Sequence, residues 1–406
     1  MNLTARPVRR VAAAAALAGA AGLIPASALT PASALIQAPA LTPAPALAAS
    51  GGLAGPSASP ARAGPVNAVP ARFRANSLSW PSSSQGRVLG TAPCGQRTCS
   101  DVIGTSDGGR AWRLLGTVKA PITGQHPGVT EVRFATPGVG WAFGPRLFRT
   151  GDAGRSWAAM PIPGRGKQIL DLAAGPGSAY AVVSPCPPEA GPCGERPSVW
   201  RASARARAPW TRIPLDLPAS TFAHVAVSGS TVYVSAQGGS RVEGKLYAST
   251  DGRHFSARTS PCSAARDLTL VQVVPASATE VAFLCDGNAG FSRAVKTVFR
   301  SADTGRTDTF AGRTGLRGIA AELAVSPSGN LAVAACSDGS FLYINDGHRK
   351  AWTRVIGRGD GGAGWNDLTY VTRSRAWVVY GPAAGAGVGQ VYLTRDGGRH
   401  WAAARM

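Results

Sequence analysis

The sequence predicts an all-β chain, a single seven-bladed β-propeller of four-stranded antiparallel blades. Three observations predict it: a turn pattern that recurs six times, a spacing that leaves room for a seventh copy, and short β-rich runs in the same order before each turn. The turn pattern is Ser/Thr-x-Asp-x-Gly-x-x-Trp. Thr105, Asp107, Gly109 and Trp112 match it in full, as do Thr150, Asp152, Gly154 and Trp157, and again Thr394, Asp396, Gly398 and Trp401. Three weaker copies complete the six: Ser249-Thr250-Asp251-Gly252 reaches Phe255 one residue early, Ser301-Ala302-Asp303-Thr304-Gly305 has Asp308 in the Trp position, and Asp346-Gly347 reaches Trp352 one residue late.

The aspartates at 107, 152, 251, 303, 346 and 396 are 45, 99, 52, 43 and 50 residues apart. The 99 is a doubled period. It predicts a seventh copy without its acid near Ser203, where Val199-Trp200-Arg201-Ala202-Ser203 is followed by Trp210. A repeat of this length suits one four-stranded blade.

The strands are read next. In the second repeat Val129 to Phe134 alternates, Gly140 to Gly144 reads as a buried strand, Leu147 to Thr150 enters the turn, and Trp157 opens the outer strand. Inner strands are expected also at Ile169 to Ala173, Phe222 to Val227, Leu268 to Val274, Ile319 to Val325 and Trp365 to Val371. No helical period runs through this part of the chain. The turn has a physical rationale: its carboxylate accepts backbone N–H bonds, its Gly takes a positive φ, and its Trp packs the outer strand on the neighbouring blade. Six acids used alike build turns and do not catalyse. Each repeat is complete in sequence order, so the first and last blades are expected to close without sharing a strand.

Composition speaks to location and partners. Lys and Arg total 42 against 21 acidic residues, a formal charge of +21, and only five of the 42 are Lys. Arg, Ala, Gly and Pro all have GC-rich codons, so genome bias and selection for anionic partners compete as explanations; net charge bears on association, not on fold. Residues 1–34 read as a signal peptide, with Arg6, Arg9 and Arg10 before the apolar Val11 to Ile24 and small-x-small sites after it. Residues 35–72 read as an Ala/Pro-rich linker, and 73–406 as the propeller. No segment reads as a transmembrane span. In an exported chain the seven cysteines favour disulfides. Cys94 with Cys99, Cys186 with Cys193, and Cys262 with Cys285 are the expected pairs, leaving Cys336 as a buried thiol.

The turns resemble the Asp-box, or BNR, repeats of the sialidase superfamily. That group includes sialidases, xyloglucanase-like glycosidases, sortilin-type receptors and the photosystem II assembly-factor family. The resemblance covers about residues 73 to 406, and is nearest in look to exported propellers of high-GC bacteria. It is specific for fold and weak for activity. A sialidase would need three clamping arginines and a Tyr nucleophile with a Glu partner, and an Arg-Ile-Pro motif ahead of the first turn. Arg212-Ile213-Pro214 follows Trp210 instead, where that motif does not belong, and no Glu pairs evidently with a Tyr, Tyr370 included. A xyloglucanase-like enzyme would need opposed carboxylates in the cleft. Asp171, Asp267 and Asp367, in or just before inner strands, read first as channel-lining residues. The five histidines lack metal-ligand spacing, so neither metal nor cofactor is expected.

The resemblance further implies that ligands bind on the face opposite the Asp-box turns, built by loops between blades. Those loops supply Lys119, His126, Arg165, Lys167, Arg266, Arg317 and Arg358, which with Asp367 are the candidate ligand-binding residues. The expected function is that of a monomeric, exported, non-catalytic propeller binding an anionic extracellular or cell-wall polymer, a glycan or a protein. Nucleic acid is not expected as a partner in that compartment. The alternative is a divergent glycoside hydrolase of sialidase-like or xyloglucanase-like type.

Overall fold

The computed structural model describes residues 68–406, apart from 191–193, 206–208, 221, 238–243, 264–267, 288–294, 315–318, 328, 337–340, 347–350, 358–363 and 382–388. The described chain forms seven four-stranded antiparallel sheets, each built from four strands consecutive in sequence. Their inner strands are Arg74–Ser79, Glu131–Phe134, Gln168–Ala174, Ala223–Ser228, Leu268–Pro275, Ile319–Val325 and Trp365–Tyr370. Each inner strand lies against the next, and that of blade seven lies against that of blade one, so the blades form a closed ring. The only helical elements described are two single 3₁₀ turns, Pro163–Arg165 and Pro188–Ala190. Blade three holds the acid-less repeat where the spacing places it, as the hairpin of Ser198–Ser203 with Thr211–Ile213.

The turns are alike in detail. In blade two the Thr150 hydroxyl donates to Asp152 Oδ1 at 2.8 Å and accepts the N–H of Gly154, while the Asp152 carboxylate accepts the N–H of Ser156 at 2.9 Å. Asp107, Asp251, Asp303 and Asp396 each take a Ser/Thr hydroxyl and one or more N–H groups the same way. These bonds to the charged form hold the Asp107 and Asp303 carboxyls below their ordinary range. Gly154 sits at φ 94°, a backbone conformation that side chains resist. Asp346 opens the sixth turn, most of which lies outside the described residues.

The core divides into seven apolar clusters, one for each interface between neighbouring blades. The turn aromatics belong to them as expected. Trp157 meets Phe134 edge-on and packs among residues of blades one and two; Trp210 serves blades two and three, and Trp401 blades six and seven. Part of the Arg surplus is also consumed here. Arg87, buried at the start of blade one's second strand, donates to Ala153 and Pro137 carbonyls of blade two. Arg258 reaches the Thr304 carbonyl of blade five, and Arg375 the Gly108 carbonyl of blade one. These cations tie one blade to the next blade's turn and are not free for a ligand.

The ring closes without a shared strand. At the seam, Ala75 N–H donates to the Gly389 carbonyl, and Arg375 also reaches Ser83. Trp377 stacks on Trp80 with centroids 4.8 Å apart and meets Trp112 edge-on at 5.9 Å. Disulfides join Cys94 to Cys99 and Cys262 to Cys285. Cys186 is disulfide-bonded, and its expected partner Cys193 lies outside the described residues.

Candidate functional site

Two places bring chemistry-bearing side chains together: the central channel and one sector of the loop face. In the channel, every inner strand carries a polar residue directly before a buried aliphatic one. The seven pairs are Ser77-Leu78, Glu131-Val132, Asp171-Leu172, His224-Val225, Gln272-Val273, Glu322-Leu323 and Asp367-Leu368. The aliphatic member packs between sheets while its neighbour faces the channel, because alternate residues of a strand point to opposite faces. Four of the polar side chains accept a backbone N–H of the following blade. Ser77 takes Val132, Asp171 takes Val225, Gln272 takes Leu323 and Asp367 takes Leu78. In blades one, three, five, six and seven a β-bulge falls at or just before this position. Such a bulge re-aims a side chain. Asp367 itself has φ 52°, in the left-handed region.

The remaining ring members pair within the channel. Arg133 reaches across from blade two, its Nη2 2.6 Å from both Glu131 Oε2 and Asp367 Oδ1. His224 Nδ1 lies 3.5 Å from Asp171, and Gln272 donates to Glu322 at 3.0 Å. Burial and neighbouring carboxylates raise the proton affinity of Glu131 and Glu322. Burial pushes Glu322 up to about 7, helped by Asp367, and pushes Glu131 well above its ordinary range against the pull of Arg133. Asp171 goes the other way: its bonds from His224 and Val225 outweigh burial and hold it low. His224 is held above its ordinary value, because its bond and charge contact with Asp171 outweigh burial.

Asp367 therefore sits in the channel as the sequence suggested, bound to Arg133 and to the Leu78 N–H. Asp171 lines the channel too, while Asp267 lies outside the described residues. Glu131, Arg133, His224, Gln272 and Glu322 were not among the candidates. For all but Arg133 the signal was the polar-then-aliphatic pair at one repeat position, visible only when the inner strands are laid over one another.

On the loop face, Lys119, His126, Arg165 and Lys167 are exposed. The structure brings His126 and Lys167 together. His126 Nε2 lies 3.0 Å from the Lys167 carbonyl oxygen, which can only accept, so Nε2 carries the proton. The His126 N–H donates to Glu189. Around this contact is a shallow pocket of about 390 Å³, lined by His126, Arg146, Ile162, Gly166 and Lys167 among others. Its walls come from the loops before and after blade two and from the loop between that blade's second and third strands, opposite the Asp turns. Arg266, Arg317 and Arg358 lie outside the described residues. Among the described residues no group of three or more His, Cys, Asp or Glu side chains could hold a metal ion, and no helix is long and apolar enough to cross a membrane.

No protein-family model matches the chain, and no curated protein sequence matches it. Solved structures do. One is YCF48 bound to D1 peptide, at TM-score 0.52 and 15% identity, covering 82% of this chain and 99% of that one. Another is YCF48 from Cyanidioschyzon merolae, at 0.50 and 15%, covering 81% and 97%. A third is the β-propeller domain of the Trilobed protease from Pyrococcus furiosus, described as having an open velcro topology, at 0.52 and 9%, covering 82% and 96%. At such identities the likeness is one of fold: the chain is a seven-bladed β-propeller with propeller neighbours.

Proposed function

We propose that the protein is an exported, non-catalytic propeller of the Asp-box type that binds an anionic partner on its interblade-loop face. The observation that carries this reading is the pocket around His126, Arg146 and Lys167, where loops distant in sequence place basic groups on one surface. Lys119 and Arg165 add exposed charge nearby in the same loops. Guanidinium and ammonium groups suit carboxylate, sulfate or phosphate. The described disulfides are compatible with an extracytoplasmic location. The peptide in the YCF48 structure offers a precedent for a protein partner on this fold.

The channel supports the same reading. Its carboxylates are engaged by Arg133, His224, Gln272 and the backbone of the next blade, so they act as links between blades. The glycosidase alternative has one observation in its favour: Glu131 and Asp367 each place an oxygen 2.6 Å from the same Arg133 nitrogen. Arg133 sits between them, where a substrate's glycosidic oxygen would have to go.

The test is binding of a carboxylated or sulfated cell-wall polymer as ionic strength rises. Exposed attraction should weaken sharply between low and high salt. An Arg146→Ala, Lys167→Ala variant should lose about fivefold to tenfold in affinity, two exposed contacts of about 0.5 kcal/mol or more each. Binding indifferent to both salt and these substitutions would sink the proposal. Release of reducing sugar that Glu131→Gln abolishes would establish the alternative.

A further inference from the structure

At the seam between the last blade and the first, on the turn face, lies a second and larger depression. It has a volume of about 640 Å³ and is walled by the turn of blade one and the outer strand of blade seven. That outer strand, Ala402–Ala403, is the shortest outer strand described, and with Ala404 it puts only methyl groups over the groove; blade two begins alike with Ala158-Ala159 but continues to Met160. Small side chains leave the groove open and its floor apolar, with Leu393 and Trp401 beneath. Three exposed guanidiniums rim it: Arg110 from blade one, and Arg395 and Arg405 from blade seven. The one acid in the wall, Asp396, is held by Thr394, by the His400 N–H and by His400 Nδ1 at 2.6 Å, and against three arginines it leaves the rim net positive.

We propose that this seam groove is a docking site for an acidic, extended peptide segment of a partner protein. It is separate from the loop-face site and does not rest on it. An extended strand fits because a short outer strand leaves sheet edge beside it, and main-chain pairing along an edge is a common way to seat a peptide. Alternating side chains would then place apolar groups on the alanine floor and carboxylates against the arginines. Charge complementarity names the occupant. The chain's own first 67 residues contain no Asp or Glu and carry Arg6, Arg9, Arg10 and Arg62, so they do not complement this rim.

The position has a consequence. No strand is shared at this seam, so a segment touching Arg110 on one side and Arg395 and Arg405 on the other would clamp the first blade to the last. A ligand that binds only the closed ring stabilises it by RT ln(1 + L/Kd), with L the free ligand concentration, and this keeps rising as ligand is added. Docking here would therefore be read directly as resistance to unfolding.

The experiment uses the whole protein and a fluorescent peptide of alternating Glu and Val, with an alternating Lys and Val peptide and dextran sulfate beside it. The Glu peptide should bind at low salt and raise the melting temperature, and the Lys peptide should do neither. An Arg110→Ala, Arg395→Ala, Arg405→Ala variant should bind it about tenfold more weakly and lose the thermal shift, while melting alone as the parent does. The Arg146→Ala, Lys167→Ala variant should bind it as the parent does, which separates this site from the loop face. Equal peptide binding by the triple variant, or loss only in the loop-face variant, overturns the proposal. Dextran sulfate that leaves the peptide in place supports a peptide-specific seat; dextran sulfate that displaces the peptide and reproduces the shift makes the groove a general polyanion site and overturns it.

Discussion

Trp377→Ala is expected to destabilise the protein by about 3–5 kcal/mol, the cost of emptying a fully buried aromatic site. Trp377 is 0% exposed and is the centre of the blade seven to blade one cluster. It stacks on Trp80 and meets Trp112, which anchors blade one's outer strand. The site cannot collapse easily, because Gly109 already presses on the ring: a Cβ there would lie 2.4 Å from Trp377. The seam makes the loss distinctive. Every other interface is bridged by the chain itself, whereas this one is held by side chains, by the Ala75 bond to Gly389 and by Asp367 on Leu78. Hydrogen exchange should therefore show the Ala75 and Leu78 amides losing protection before those of the other blades. Trp141→Ala, at the blade two to blade three interface and 2% exposed, should cost as much without that selective opening. A loss below about 1 kcal/mol for Trp377→Ala would mean that backbone contacts alone close the ring.

How much of this was legible depends on where the constraint is written. The turns were readable because each packs its chemistry into eight consecutive residues, and even the acid-less third copy was located by arithmetic on the aspartates. Ring closure without a shared strand followed from each repeat being complete. The channel was not read, for a physical reason. His224 and Glu322 are each a lone ionisable residue in an apolar strand, Glu131 shares its strand only with Arg133, and only the ring sets Arg133 of blade two beside Asp367 of blade seven, 234 residues away. Charge counting overstated the free surface for the same reason, since Arg87, Arg133, Arg258 and Arg375 are spent on links between blades. The sequence places His126 and Lys167 on a common face, and the bond between them comes from the loop geometry.

Arg133→Met should cost about 2–3 kcal/mol at alkaline pH, where Glu131 is ionised, and Glu131→Gln in the same chain should restore most of it. Arg133 holds Glu131 and Asp367 on one nitrogen, 2.6 Å from each, so their oxygens are nearer to each other than a typical unpaired separation. Without the guanidinium, two carboxylates about 5 Å apart repel by about 3 kcal/mol at an effective dielectric of 20. That figure is reduced here because the Arg133 side chain is 26% exposed and water reaches the pair. Methionine keeps the stem's packing, so the loss reports charge. The pH profile separates this from a simple packing defect. Glu131 and Glu322 have raised affinities for protons in the fold, so the folded chain binds more protons than the unfolded one above pH 4.5, and stability falls as pH rises toward about 7 and beyond. His224, raised as well, adds a loss of the same sign as pH climbs past 6.5. The turn aspartates and Asp171, all held low, act oppositely and only in acid, where stability drops as pH falls below about 3.8. The parent should therefore be most stable near pH 5 and less stable at pH 8. In Arg133→Met the decline should extend further above pH 8, because Glu131 loses the one charge that favoured its ionised form, and Glu131→Gln should flatten it. A flat profile from pH 5 to 8 in the parent, or a Gln that rescues nothing, would show that the channel carboxylates are screened by water and do not govern the ring's stability.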